Sequence, residues 1–470
     1  MIKVSSSLET PALRRVSSAS GKNSFKRGIA FLGTSGIVLA LGVSSTTPAH
    51  ANGFFDCVND GTADDNTAEP GDNPTEDRDN ILEVLDDHNE ICLNGDFRLT
   101  GTIEYNADIH VYGIGNSSID AMQSASVFYS DYVGGSDIVI NNLSISNSTG
   151  DAAVVGNSVI ILESTFEGNS YGAVQGTSVT AVSSTFVNNS ADDDGYLDGG
   201  AIWSAEHTDA ENCTFDGNTA KNGGAIYAND VTIVNSTFLD NEASDEGGAI
   251  YSFSGEVFLS TFVNNTASVP SADLEADTPG NAIYKEGRYD PELFGYLEVG
   301  GNIFAGESIH PQLGYGAAPS HFIDLGGNVF STPASVETDI AEVPWVDPSA
   351  KHESTFFEAT LLSLFGTSSP SLGNYEPNSS GTQTIALASG SPALDRVLES
   401  TFLSDPPTFD QRGAARSYPA DAGAFEGYVT RGLADTGTSS PWWVALYSSA
   451  LIAIGSLAVA FAKRKRSRTS

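Results

Sequence analysis

The sequence predicts an all-β chain folded as a solenoid, a stack of short strands in which each turn rests on the one before. Two repeated phrases and their spacing carry that prediction. Gly199-Gly-Ala-Ile-Trp203, Gly223-Gly-Ala-Ile-Tyr227 and Gly247-Gly-Ala-Ile-Tyr251 recur every 24 residues. A second phrase, Ser-Thr-Phe or Cys-Thr-Phe followed by an Asn three residues after the Phe, centres on Phe166, Phe186, Phe215, Phe238 and Phe262. Its steps are 20, 29, 23 and 24 residues. Such periods, rich in Gly, Asn and β-branched residues, signal stacked coils. A Gly-Gly pair in every unit excludes a helical repeat.

Alternation identifies the interior. Stepping back by twos from Phe166 gives Ser164, Leu162 and Ile160, and from Phe238 gives Ser236 and Val234. Residues two apart share a strand face, so each Phe and the small residue before it point inward. The Asn three after each Phe is expected at a bend in left-handed conformation, stacked into a ladder. The Gly-Gly pair suits a second corner with positive φ. The result is a right-handed, single-stranded parallel β-helix. Over roughly residues 160–290 the two phrases resemble the repeats of the polymorphic outer-membrane protein family and related bacterial surface β-helices. That resemblance implies an architecture rather than a chemistry.

The chain carries 21 Lys and Arg against 60 Asp and Glu. Ten basic and 59 acidic residues lie between Asn52 and Thr436, a net charge near −49. So acidic a surface disfavours nucleic acid and anionic lipid and favours solubility and divalent cations.

In chain order, residues 1–51 read as a secretory signal. Arg14, Arg15, Lys22, Lys26 and Arg27 precede the apolar run Gly28–Val43, and an Ala-x-Ala ending places cleavage between Ala51 and Asn52. Residues 52–96 form an N-terminal cap region. Its short helical stretch, expected to open at Asp79 and run over Asn80–Leu85, resembles the amphipathic cap that covers the open end of a β-helix. Cys57 and Cys92 bracket it and, in an exported protein, are expected to pair. Cys213 takes the slot that Ser holds in other coils and reads as an inert buried filler.

The β-helix is expected over 97–335, most regular over about 150–290. The turn Gly113–Ser117 resembles the bend after the first strands of pectate-lyase-like helices, and no dinucleotide loop is completed there. Insertions at 191–198 and 268–278 gather carboxylates. Asp192, Asp193, Asp194 and Asp198 are weak Ca²⁺ candidates, with plain solvated loops the favoured reading. No other cofactor is implied.

An aromatic residue follows each Ala-Ile: Trp203, Tyr227, Tyr251, and Tyr284 in the degenerate Gly280-Asn-Ala-Ile-Tyr. Stacked about 4.8 Å apart, these rings form either a packing ladder, the favoured reading, or an outward strip suited to sugar rings.

Residues 336–430 end the helix as a C-terminal cap region. Gly300-Gly-Asn-Ile-Phe304 and Gly326-Gly-Asn-Val-Phe330 echo the repeat and suggest further coils. Ser391-Pro-Ala-Leu-Asp395, Asp410-Gln-Arg-Gly413 with Arg416, and Asp421-Ala-Gly-Ala-Phe-Glu426 resemble the corresponding region of the choice-of-anchor Q proteins. Their charges are expected to form a buried ion-pair network closing the C-terminal end.

Residues 431–470 resemble a sortase sorting signal. Leu433-Ala434-Asp435-Thr436-Gly437 precedes an apolar span, 442–462, and the basic Lys463-Arg-Lys-Arg466. The resemblance implies cleavage between Thr436 and Gly437 and covalent attachment to cell-wall peptidoglycan. Ala434 replaces the usual Pro, a variant similar to that read in high-GC Gram-positive bacteria. The span is long enough to cross a bilayer in the precursor.

Catalytic chemistry finds little purchase. Among the regular coils the basic residues are Lys221, Lys285 and Arg288, and no nucleophile elbow, zinc spacing or phosphate loop occurs. His207 and Asp209 are a candidate acid/base pair, with an inert surface histidine favoured. The sequence therefore reads as a secreted, wall-anchored, non-catalytic surface protein of the adhesin or glycan-contact type. Its partners would be sortase, peptidoglycan and a polysaccharide or host surface, not nucleic acid. A polysaccharide lyase or hydrolase on the helix groove, and a structural spacer, are the alternatives.

Overall fold

Every strand pairing among the named strands of the described residues is parallel, strand order in each sheet follows chain order, and consecutive strands are dealt out to different sheets, the pattern of a solenoid. The computed structural model describes residues 57, 66–191, 198–268, 280–286, 296–306, 312–315, 322–331, 355–373, 382–402 and 406–427. Apart from Pro406, these fall in one compact unit joining Cys57–Phe402 to the chain from Pro407 onward. The unit is an all-β parallel β-helix of about nine turns.

Each regular coil has three sides. The long strands Val154–Leu162, Val174–Val182, Ile202–Glu211, Ile226–Val234 and Ile250–Phe258 each bend midway, giving a first arm and a second arm. The three-residue strands Thr165–Glu167, Thr185–Val187, Thr214–Asp216, Thr237–Leu239 and Thr261–Val263 supply the third side. Registration is residue on residue: Phe166, Phe186, Phe215, Phe238, Phe262, Phe304 and Phe330 form one buried column with ring centroids 4.6–5.4 Å apart. Offset stacking adds to the area that each ring removes from water.

Two polar ladders flank that column inside the core. Asn169, Asn189, Asn218, Asn241 and Asn265 are fully or almost fully buried. Each of the first four donates through Nδ2 to the Oδ1 of the next at 2.8–3.0 Å. On the other flank Ser164, Ser184, Cys213, Ser236, Ser260, Asn302 and Asn328 follow one another. Backbone N–H groups donate to the next hydroxyl or amide oxygen at Ser184, Ser236, Ser260, Asn302 and Asn328. These side chains satisfy turn amides that no strand partner reaches.

The corners correct one expectation. The left-handed residue is not the ladder Asn but the residue before it: Gly168, Asn188, Gly217, Asp240 and Asn264. That leaves the Asn side chain free to turn inward. At the Gly-Gly corner only the first glycine has positive φ. The second is required by crowding, since a Cβ on Gly224 would stand 2.2 Å from the Gly248 carbonyl oxygen.

The echoes at 300–304 and 326–330 do continue the coils. Their register pairs Phe304 with Phe262 and Phe330 with Phe304, so they extend the Ser-Thr-Phe corner, not the Gly-Gly-Ala-Ile corner.

The N-terminal helix is Pro74–Asp87, beginning five residues before the expected Asp79. Asn73 caps it, accepting from the Thr75 and Glu76 amides, and Pro74 takes the first helical position, where its missing N–H costs nothing. Ile81 reaches the core, and buried Asp77 accepts from the Gly71 and Arg98 amides at 2.7 Å each. Cys57 and Cys92 are disulfide-bonded across a separation of 35 residues, a loop whose closure is worth about 3–4 kcal/mol.

The residues after 360 return along the flank of the solenoid, and this corrects the expected end closure. Gln411 Nε2 donates to the Cys213 carbonyl and to Thr214 Oγ1 at 3.0 Å, while Thr237 Oγ1 donates to Gln411 Oε1 at 2.6 Å. Arg416 reaches Asn235, and the Ala424 amide donates to Thr261 Oγ1 at 2.9 Å. The anticipated ion pairs exist, Arg412 with Asp410 at 2.6 Å and Arg416 with Glu426 at 3.0 Å. They sit in a strap lying on the outward face of the third side, because that face offers a column of threonine hydroxyls at coil spacing. A second apolar core, including Phe258, Leu259, Val263, Val397, Phe402 and Phe425, fills the space beneath.

Candidate functional site

The aromatic positions stack on the outer surface of the first arm, in the register Gln175, Trp203, Tyr227, Tyr251, Tyr284. The arm projects them outward because Ile202, Ile226, Ile250 and Ile283, one residue before, fill the core. Exposure is graded along the column. Trp203 and Tyr227 are half-buried, Tyr251 is 8% exposed and Tyr284 only 1%. Tyr227 stacks on Tyr251 at 4.8 Å and Tyr251 on Tyr284 at 5.1 Å. Phe253 meets Tyr251 edge-on at 5.8 Å, and Tyr251 Oη donates to Glu286 at 2.6 Å. Burial and that bond push the Tyr251 phenol far above its ordinary pKa. The four-membered outward strip is thus corrected. Tyr251 and Tyr284 are packing, and only Trp203 and Tyr227 offer rings to a ligand.

Tyr132 joins them. Its ring meets Trp203 edge-on at 5.3 Å, and Thr177 Oγ1 donates to the Tyr132 carbonyl, holding that segment over the bend. Nothing in the repeat marks Tyr132, which stands outside both phrases. Gln175 had a signal: Gly172-Ala-Val-Gln175 is the Gly-Ala-Ile-aromatic phrase with Val for Ile and Gln for the aromatic.

Carboxylates border the rings. Five residues upstream of successive aromatic positions stand Asp198, Asn222 and Glu246, joined through Asn222: its Nδ2 donates to Asp198 at 2.8 Å and its Oδ1 accepts from the Glu246 amide. Burial raises the Asp198 pKa. Asp192, Asp193 and Asp194 lie outside the described residues. Among the described residues no group of three or more His, Cys, Asp or Glu side chains is placed to hold a metal ion.

On the second arm His207 stands between two carboxylates, donating from Nε2 to Asp209 at 2.8 Å and from Nδ1 to Asp230 at 3.0 Å. Burial works against its charge, but the two hydrogen bonds win and push its pKa up to about 10. An imidazolium with both nitrogens donating has no lone pair to accept a proton, so His207 is not poised as a general base at neutral pH. Glu256 and Glu298 continue the column, their pKa values raised by burial and by neighbouring carboxylates.

The basic residues are spent elsewhere. Lys285 points inward, 3% exposed, above Ser252, and Lys221 lies at the Gly-Gly corner near Asp198. Arg288 is outside the described residues. Cys213 is buried with its thiol pushed up to about 12 by burial, and is unreactive.

Residues 131–287 match the family model for a right handed beta helix region. That span covers the Phe column from Phe166 to Phe262, both ladders through those coils, and all four aromatic positions. No curated protein and no solved structure gives a match. The cleavage site Ala51–Asn52, the motif Leu433, Ala434, Asp435, Thr436 and Gly437, and the apolar span 442–462 lie outside the described residues.

Proposed function

We propose that this chain is a non-catalytic surface protein, secreted and covalently anchored to a bacterial cell wall, that contacts glycans through the first arm of its β-helix. The observation that carries the binding role is the half-buried pair Trp203 and Tyr227, flanked by Tyr132 and Gln175, on the outer surface of the first arm. Flat rings held by registered strands bind sugar faces without ordering cost, because packing has already fixed them. The match to a right handed beta helix family supports a carbohydrate-contacting role. The signal-like segment 1–51 and the sorting-signal resemblance at 433–437 support secretion and anchoring, with sortase and peptidoglycan as partners.

The test is retention of the purified full chain on immobilised neutral and charged polysaccharides, read together with product size. Binding without shortened chains, lost in Trp203→Ala and in Tyr227→Ala, is the expected result. Shortened chains would replace this reading with a hydrolase or lyase, and no retention by any polysaccharide would remove the glycan role. Anchoring is tested separately: Thr436→Ala should release the protein from the wall fraction to the membrane or medium.

A further inference from the structure

Resting on the glycan-contact reading, we infer that the first-arm site selects polysaccharides bearing free amines, that is, hexosamine chains lacking their N-acyl groups. The argument is charge complementarity around two fixed rings. At the corner that precedes the first arm, Asp198 stands in the Trp203 coil, Asn222 in the Tyr227 coil, and Asp245 and Glu246 in the Tyr251 coil stacked next to it. Downstream, Glu206 is exposed three residues after Trp203, and Asp230 stands three after Tyr227. Two cations lie nearby. His207 is held between Asp209 and Asp230, and Lys221 sits beside Asp198 and below Asp245, whose amide donates to its carbonyl. Neither cation reverses the sign of the face.

An anionic sugar entering here would set its carboxylate or sulfate among these acids and lose more than stacking returns. A neutral sugar would gain only the ring contact. An amine-bearing sugar gains both: its apolar face covers the ring, while its ammonium lies within reach of the border carboxylates or over a ring face, where the quadrupole attracts it. The geometry also sets the direction. Trp203 and Tyr227 stand one coil apart, about 4.8 Å, so an extended chain running along the solenoid axis places about one sugar per coil.

The probe is a pair of glucosamine oligosaccharides of equal length, one fully deacetylated and one fully N-acetylated, offered to the full chain at mildly acidic pH, where the amines are charged. We expect the deacetylated chain to bind at least about tenfold more tightly at low salt, with the advantage shrinking at high salt as screening shortens to about 3 Å near 1 M. The double variant Glu206→Gln, Glu246→Gln should lose most of that advantage and leave the acetylated chain unaffected, and Trp203→Ala should weaken both. Equal binding of both probes overturns the charge inference and leaves the glycan reading standing. Binding of neither, with circular dichroism unchanged, overturns the glycan reading as well. Polylysine binding as tightly as the deacetylated chain and unaltered by Trp203→Ala would overturn the inference in favour of a basic protein partner.

Discussion

Loss of Asn218 should be costly, because its side chain, like those of Asn189 and Asn241, serves two neighbouring coils at once. Its Oδ1 accepts from the Asn189 amide and from Asn189 Nδ2, both at 3.0 Å, and its Nδ2 donates to the Phe186 carbonyl at 3.0 Å and to Asn241 Oδ1 at 2.9 Å. It is fully buried, so water cannot replace what is removed. Asn218→Ala strands two donors of Asn189, and orphaned buried donors cost about 1–3 kcal/mol each, hence roughly 2–6 kcal/mol together. Exposed Asn229, whose Nδ2 bonds the Ala205 carbonyl, is the matched control, and Asn229→Ala should cost about 0.5 kcal/mol or less. Urea unfolding followed by circular dichroism measures both, and hydrogen exchange at the Asn189 amide reports the lesion locally. Asn218→Asp keeps shape but cannot donate when ionised, so it should destabilise more at neutral than at acidic pH. An Asn218→Ala variant within 1 kcal/mol of the parent, with the Asn189 amide still protected, would refute the claim that the ladder holds the coils together.

Two further outcomes follow from the same contacts. Gln411→Ala should loosen the C-terminal strap before the coils, since it removes bonds to Cys213, Thr214 and Thr237 from one side chain. Limited proteolysis should cut within 382–427 well before it cuts the coils, and simultaneous cleavage at the parent rate would count against the strap as a separate unit. Stability should also rise on mild acidification. Glu163, Asp216, Asp240, Glu256, Glu298, Asp421 and Glu426 all have folded pKa values raised, in each case first by burial. A raised folded carboxylate binds its proton more readily than the unfolded one, so its penalty is relieved as pH falls through the folded value. His207 acts in the same direction: its stabilisation is present below the unfolded value of about 6.5 and is lost as pH climbs through about 10. His110, buried and held neutral, opposes this below the same unfolded value. The urea midpoint should therefore be higher near pH 5.5 than near pH 8, and a midpoint that drops as the pH is lowered from 8 to 5.5 would contradict the burial of these carboxylates.

The parts of the fold that repeat were legible, because a repeat states a local rule many times. The Phe column and the small residue before each ring followed from period-two alternation, and the Asn ladder from recurrence. Further back the alternation misled: Val159, Ile161 and Ile233 fill the core, not Ile160, Leu162 and Val234, because Glu163 and Asn235 take positive φ between the strands and shift the phase. What alternation could not settle was which residue of each turn bends the backbone, since Asn, at home in left-handed conformation, fills the ladder position in every regular coil and recurs at the position before it, and only φ separates them. The helix start escaped for a similar reason: apolar periodicity begins near Ile81, while the start is set by Asn73 and Pro74, which have no apolar partner to announce them. The strap was visible as charge and motif but not as a location. Its docking depends on Thr214, Thr237 and Thr261, which read in sequence as ordinary outward strand residues. Tyr132 was invisible, because its pairing with Trp203 is a tertiary accident of one connection.

The aromatic column shows why a repeat fixes placement and leaves function open. Trp203, Tyr227, Tyr251 and Tyr284 occupy one register position on one face, yet two are partly open and two are sealed. The difference arises at the bend that follows, where the coils carry Glu206, then Asn229, then Phe253. The first two are exposed polar residues that leave the ring beside them wet, while Phe253 turns back onto Tyr251 and, with Tyr284, makes a small apolar cluster of its own. Tyr227 is the boundary ring: one side stacks on the sealed Tyr251, and the residue is only partly buried. The site is therefore anchored at one end by packing and open at the other. That is the arrangement that lets a surface hold its rings in register while offering them to a ligand.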